Sequence, residues 1–250
     1  MLMMAAIRLV GLLFGLAALP FVPWPSDTGL IWLGLACAAN FAYHVLLIQS
    51  YRVGDLSLVY PLARGSAPVL LALIAFFAID ERLALAQIAA VILIAGGVLA
   101  LVIGKGSDRA SVGFALATGI AIAAYSFFGG LGVRSSASVL GFQAWLEILT
   151  GLGILIFAAI SRRGQIRGFA RSSGGTGLLA GALSVSGYLV FLGAAKVLPL
   201  APVAALRECS LIFGTVIGAV LLKEPFGARR IAAAGLVTSG IIALAAGAHY

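Results

Sequence analysis

The sequence predicts an all-α fold: a polytopic membrane helical bundle of two inverted five-helix repeats, with the first helix of repeat one missing, so that nine spans are visible. Three observations carry this expectation. Of 250 residues, 62% are hydrophobic and only 10% charged, with a mean hydropathy of +1.16, whereas soluble domains carry about a quarter charged residues. Charge-free apolar stretches of about 18 to 24 residues recur along the chain, close to the ~20 residues a helix needs to cross hydrocarbon. Finally, Arg64, Glu81 and Gly97 return as Arg207, Glu224 and Gly240 at a constant offset of 143 positions, which marks an internal duplication.

In chain order, the spans are expected near 5–22, 30–50, 58–79, 84–103, 111–132, 138–160, 176–195, 200–222 and 230–248. Backbone groups in lipid must be paired within a segment, and these runs are too long and too continuously apolar for barrel strands, so each is expected to be a helix. Connections are short and punctuated by Pro, Gly, Ser or Asp, as in Pro23-Trp24-Pro25-Ser26-Asp27 and Gly104-Lys105-Gly106-Ser107-Asp108. The longest, Ser161 to Gly175, is basic and Gly/Ser-rich and is expected to be a loop. Repeat one then covers 1–109, with four visible helices, and repeat two 110–250, with five.

An odd number of crossings per unit turns the second copy upside down in the bilayer. The second repeat starts near Ser111, so the offset places the start of the first about 32 residues before Met1. Either a start codon lies upstream or this protein lacks that helix. Arg8 followed by an apolar run also admits a cleaved signal peptide, although the repeat gives the better account of the first span.

The net charge is +8 and the pI about 10.1. In a soluble chain this would point to nucleic acid, but the basic residues fall mainly between apolar runs and read as topology signals, so no nucleic-acid partner is expected. One set of alternating loops holds eleven basic residues and the other only Arg82, Arg134 and Lys196. Positive-inside logic therefore puts the 161–175 loop in the cytoplasm and the C-terminus outside. Cys37 and Cys209 lie inside apolar segments and read as buried thiols, with neither disulfide nor metal spacing.

Polar residues within the spans are the candidate site. Arg64 and Arg207 each lie six or seven residues into a helix, about 10 Å below its end at ~1.5 Å per residue. Each costs about 2.5–3.5 kcal/mol on insertion scales unless it faces protein or a wet cavity. Their planar forks suit carboxylate or phosphate. The acids well inside spans are Glu147 and Glu208, which would bring the four charges to zero. Glu208 should point about 100° away from Arg207 around a continuous helix. Glu147 is the better candidate for proton exchange, with Glu208 beside it, because burial penalises the charged form of an acid. Pro68 deprives the Arg64 carbonyl of its helical donor, exposing backbone polarity beside the guanidinium, although a packing kink accounts for it equally well.

Tyr60 shares a face with Arg64, while Tyr125, Tyr188, Tyr43 and Trp145 are candidates to line a cavity. Asn40 and His44 lie four apart on one face; His44 fits a proton relay or, more simply, a hydrogen bond to a neighbouring helix. Glu81 and Glu224, at helix junctions, are expected to cap the helix that follows each. Gly214-xxx-Gly218 and Gly235-xxx-Ser239 suggest close helix packing, including a homodimer face.

Taken together, Leu56 to Pro68 (LSLVYPLARGSAP), Asp80-Glu81-Arg82-Leu83 and Ala95-Gly96-Gly97, with Ala205-Leu206-Arg207-Glu208-Cys209-Ser210, Leu222-Lys223-Glu224-Pro225 and Thr238-Ser239-Gly240, resemble the two halves of an EamA-type member of the drug/metabolite transporter superfamily. The resemblance covers nearly the whole chain. It implies ten helices in two five-helix repeats around a central cavity, both termini in the cytoplasm (against the charge count), and residence in the cell inner (plasma) membrane. It also implies secondary transport of a small metabolite by alternating access. The expected substrate is anionic or zwitterionic, bound by Arg64, Arg207, Tyr60, Tyr188, His44 and Tyr125, with proton coupling at Glu147 and Glu208. No Walker lysine, HExxH or Cys/His cluster is present, so neither enzyme chemistry nor a cofactor or metal is expected. A non-transporting accessory subunit and a flippase for a lipid-linked phosphate are the competing readings.

Overall fold

The computed structural model describes residues 2–102, 108–161, 166–208 and 228–246. Among these it is all-helical: α1 Leu2–Ala18, extended by a 3-10 turn Leu19–Phe21, then α2 Asp27–Val53, α3 Leu56–Ile79, α4 Leu85–Val102, α5 Arg109–Arg134, α6 Val139–Ser161, α7 Ile166–Val197, α8 Leu200–Arg207 and α9 Ala228–Ala246. Six of these contain stretches long and apolar enough to cross a membrane, in α1, α2, α3, α5, α6 and α7, while α4 and α9 carry shorter apolar cores at Leu85–Ala100 and Ala232–Leu244. Large apolar side chains point outward, with Phe77, Leu85 and Ile160 about four-fifths exposed. That surface belongs in hydrocarbon, and the protein is a membrane-embedded helical bundle.

Local chemistry explains where the helices begin. Ser26 Oγ accepts from Gly29 N–H at 3.1 Å, Asp108 Oδ2 from Ala110 and Ser111 N–H at 3.2 and 3.3 Å, and Ser138 Oγ from Gly141 N–H at 3.1 Å, so α2, α5 and α6 each start on a side-chain N-cap. At α4 the Gln87 side chain reaches back to accept from Ala84 N–H at 2.8 Å, one half of a capping box. α3 ends where Asp80 turns left-handed at φ 51°, a conformation Asp tolerates better than most residues.

Two sequence expectations are corrected. The Ser161–Gly175 stretch is not a loop throughout, because α7 already begins at Ile166. Gly and Ser lower helix propensity without forbidding a helix, and packing outweighs them here. Glu81 does cap a helix, but not the next one: its Oε1 accepts from Ala201 N–H at 3.2 Å, at the start of α8. Glu224, Cys209, Gly214 and Gly218 lie outside the described residues, as does the expected span beyond residue 208.

The helices sort into two packing units, Met1–Phe41 with Phe128–Val197, and Ala42–Phe127 with Leu198–Tyr250. In the first, α1 lies on α6 and α7. Gly15 and Gly181 permit the approach, since a Cβ there would sit 2.6 Å from Ala144 O and 3.0 Å from Ile7 O. The same three helices leave an apolar groove of about 540 Å³, floored by Ala5, Ala6, Ala158, Ala159, Gly174 and Gly175. In the second unit α3, α4, α8 and α9 close on a core that includes Leu62, Ile94, Ala205, Val237 and Leu244.

The α4–α9 crossing is close. A Cβ on Gly97 would meet Ala233 O and Val237 N at 2.9 Å, and one on Gly240 would meet Ala90 O at 3.0 Å and Ile94 N at 2.9 Å. Gly235, by contrast, has nothing within 4 Å of a built Cβ, so among the described residues the Gly235-xxx-Ser239 pattern does not make the close contact expected of it.

Candidate functional site

Arg64 and Arg207 converge on one carboxylate in the second unit. Arg64 Nη1 donates to Glu208 at 3.0 Å (Oε2) and 3.3 Å (Oε1), and Arg207 donates to Oε1 from Nε at 3.2 Å and Nη2 at 3.1 Å. The Glu208 side chain is 1% exposed and those of Arg64 and Arg207 21% and 17%, so the carboxylate lies deeper than the arginines. A buried carboxylate holding two cations satisfies the requirement that charges inside a membrane protein be paired and hydrogen-bonded.

The continuous-helix expectation for Glu208 fails here. Glu208 is the C-cap of α8, its N–H still donating to Ala204 O at 3.2 Å. Despite the ~100° step around the helix, its long side chain reaches its neighbour's guanidinium.

Aromatic and hydroxyl groups complete the cluster. The Arg64 guanidinium lies 5.7 Å from the Tyr60 ring centre and that of Arg207 5.1 Å from Tyr125, both in cation–π range. Arg207 Nη2 also donates to Ser126 Oγ at 3.0 Å. Tyr43 packs against Tyr125 at 5.4 Å and, edge-on, against the His44 ring at 4.8 Å. Arg64 commits only Nη1 to the carboxylate, leaving Nε and Nη2 without a hydrogen-bond partner among the described residues. Of the predicted residues, Arg64, Arg207, Tyr60, Tyr125, His44 and Glu208 thus fall in one packing unit.

Glu147 and Tyr188 belong to the other unit. Glu147, 4% exposed, receives Arg8 Nη1 at 2.9 Å. Arg8 is thus a further charge within the bundle, so the four-charge balance expected from Arg64, Arg207, Glu147 and Glu208 does not hold. Gly11, one turn after Arg8, makes the pair possible: a Cβ there would collide with the Glu147 carboxylate. Replacing Gly11 with alanine should therefore cost about 1–3 kcal/mol, the usual penalty of overpacking, despite alanine's better helix propensity. An unchanged melting temperature in detergent would show that Arg8 and Glu147 separate freely. Tyr188 stacks on Phe191 at 5.4 Å, Trp145 meets Trp24 edge-on at 4.6 Å, and Asn40 is buried.

No family model and no curated protein matches this chain. Among solved structures, 21 chains match. One of them, described only as a crystal structure of a protein, is 17% identical and aligns over 99% of this chain and 87% of its own, with a TM-score of 0.69. That likeness is one of fold: the helical arrangement exists in an experimental structure.

Proposed function

We propose that the protein is a multi-pass secondary transporter of the inner (plasma) membrane, of EamA type, which moves a small anionic or zwitterionic metabolite by alternating access. The observation that carries this reading is the convergence of two span-embedded arginines, their side chains still partly exposed, on one buried carboxylate with tyrosines around them. A purely structural pair needs one arginine per carboxylate; a second, with donors to spare, is what an anion-binding cavity requires.

The α4–α9 crossing supports the inverted repeat. Gly97 meets Ala233 and Val237, while Gly240 meets Ala90 and Ile94, and each of Ala90, Ile94 and Gly97 is offset by 143 positions from Ala233, Val237 and Gly240 respectively. Reciprocal contacts of this kind are expected where two related elements pack about a pseudo-two-fold axis. Orientation by charge count also gains support. Two of the three basic residues on the sparse side are engaged with backbone carbonyls, Arg134 with Ala195 at 2.9 Å and Lys196 with Ser136 at 3.0 Å, which gives them a capping role apart from topology.

Proton coupling, if carried by Glu147 or Glu208, requires the proton to compete with a guanidinium already in place. The reading is tested by reconstituting the full chain in liposomes and following counterflow of labelled amino acids and organic phosphates. Uptake should fall at least about 100-fold in Arg64→Gln and Arg207→Gln, in line with loss of a bidentate charge contact worth 2–5 kcal/mol, with both variants still monodisperse. Equal uptake by wild type and variants would assign the arginines to structure, and no flux from folded wild-type protein would favour the accessory-subunit reading.

A further inference from the structure

The groove of the first unit is an opening between helices that meet closely farther along. On α7, a Cβ on Gly181 would meet Ile7 O of α1 at 3.0 Å, and one on Gly177 would meet the Ala6 side chain at 2.6 Å. Two turns before Gly181, at Gly174, and at Gly175 beside it, a built Cβ has nothing within 4 Å among the described residues. The helices therefore splay apart toward the ends where the α1 and α7 spans start, at Leu2 and Ser173, and where the α6 span stops, at Ile160. The groove of about 540 Å³ fills that splay. Leu2 and Leu9 both line it, so at ~1.5 Å per residue it runs about 10 Å along α1, within one leaflet of a ~30 Å hydrocarbon core.

Positive charge lies at the open end. The register of α7 sets Arg167, Arg171, Gly174 and Leu178 at i, i+4, i+7 and i+11, one face of a helix, and both arginines precede the start of the span at Ser173. The whole 161–175 stretch holds four arginines and no acid. The one acidic residue on α1, α6 and α7 is Glu147, and Arg8 holds it.

We infer that the groove is a docking site for one anionic phospholipid, with an acyl chain between α1, α6 and α7 and the phosphate at the level of Arg167 and Arg171. A crevice left empty forfeits van der Waals contact along its lining, and lipid chains are at hand to fill it. A transmembrane helix is the poorer occupant, since the groove would support it for only about 10 Å of its ~30 Å path. Arginines at the edge of a span attract anionic headgroups, so they select which lipid enters. The inference needs the first unit alone and holds whatever the Arg64 and Arg207 cluster carries.

The test titrates delipidated full-length protein in detergent with dioleoyl phosphatidylglycerol or dioleoyl phosphatidylcholine at low ionic strength, with thermal stabilisation as the readout. Both lipids bring the same chains, and only the first is anionic. Phosphatidylglycerol should act at about 25-fold lower concentration, roughly fivefold for each arginine. Glycerol 3-phosphate, which has the charge without the chains, should give no shift. Arg167→Gln/Arg171→Gln should bring phosphatidylglycerol to the level of phosphatidylcholine. Gly174→Leu/Gly175→Leu fills the groove from open positions and raises helix propensity, so the lipid-free protein should be at least as stable while its response to both lipids is lost. Equal wild-type responses to the two lipids, a shift with glycerol 3-phosphate alone, a preference that survives loss of both arginines, or a full response in the leucine variant would each overturn the inference. The wild-type comparison decides by itself, so a poorly folding variant does not rescue it.

Discussion

Glu208→Leu should be the most damaging single substitution among the described residues, lowering stability by about 3–5 kcal/mol, the range for removing one partner of a buried charge pair. Leucine fits the space but accepts no hydrogen bond, so four donor contacts from Arg64 and Arg207 are lost together. The two guanidinium groups would then face each other uncompensated. Their 21% and 17% exposure lets water relieve part of the cost and places the result toward the lower end of the range. Glu208→Gln keeps one acceptor and should fall between leucine and wild type. The exposed pair of Arg82 and Asp80, 3.5 Å apart and 81% and 74% exposed, gives the contrast: Asp80→Asn should lose no more than about 1 kcal/mol of ion-pair energy. Denaturation in mixed micelles, followed by circular dichroism, ranks the four proteins. A Glu208→Leu variant as stable as Asp80→Asn would mean that the arginines already find solvent or lipid headgroups in the folded state.

The helices were legible in the sequence because lipid imposes a length and an apolar content on each span. The expected span at 138–160, for example, became α6 at Val139–Ser161. What was not legible depended on partners far away in the chain. Arg8 reads as an N-terminal flanking charge until α1 packs on α6 and brings it to Glu147, 139 positions on. The contact of Glu208 with both arginines needed Arg64, 144 positions away, to pack beside α8. The start of α7 is hidden for a compositional reason, since Arg, Gly and Ser together look like a connection even where a helix runs through them. The pair Arg64 and Arg207 was found from sequence alone because a charge inside an apolar run is costly enough to demand a reason. Its repetition at a fixed offset supplied one.

The proposed repeat predicts a symmetric response at the α4–α9 crossing. Gly97→Ala and Gly240→Ala should each destabilise the protein by about 1–3 kcal/mol, because the added Cβ meets backbone atoms at 2.9–3.0 Å that have no side-chain freedom to yield. The helices must move apart, and with them go the close contacts that small residues provide in a bundle. The two effects should be similar, since each glycine meets the offset partners of the residues that meet the other. They should also be strongly sub-additive. Once either alanine has forced the helices apart, the second enters a gap already open, so the double variant should fall short of the sum by more than the ~0.5 kcal/mol scatter of independent sites. Gly96 and Gly235 lie on the same two helices with nothing within 4 Å of a built Cβ. Alanine there should be neutral or stabilising by up to about 1 kcal/mol through helix propensity. If Gly97 and Gly96 respond alike, or the 97/240 pair proves additive, the crossing is looser than these contacts require and the two-fold relation loses its main support.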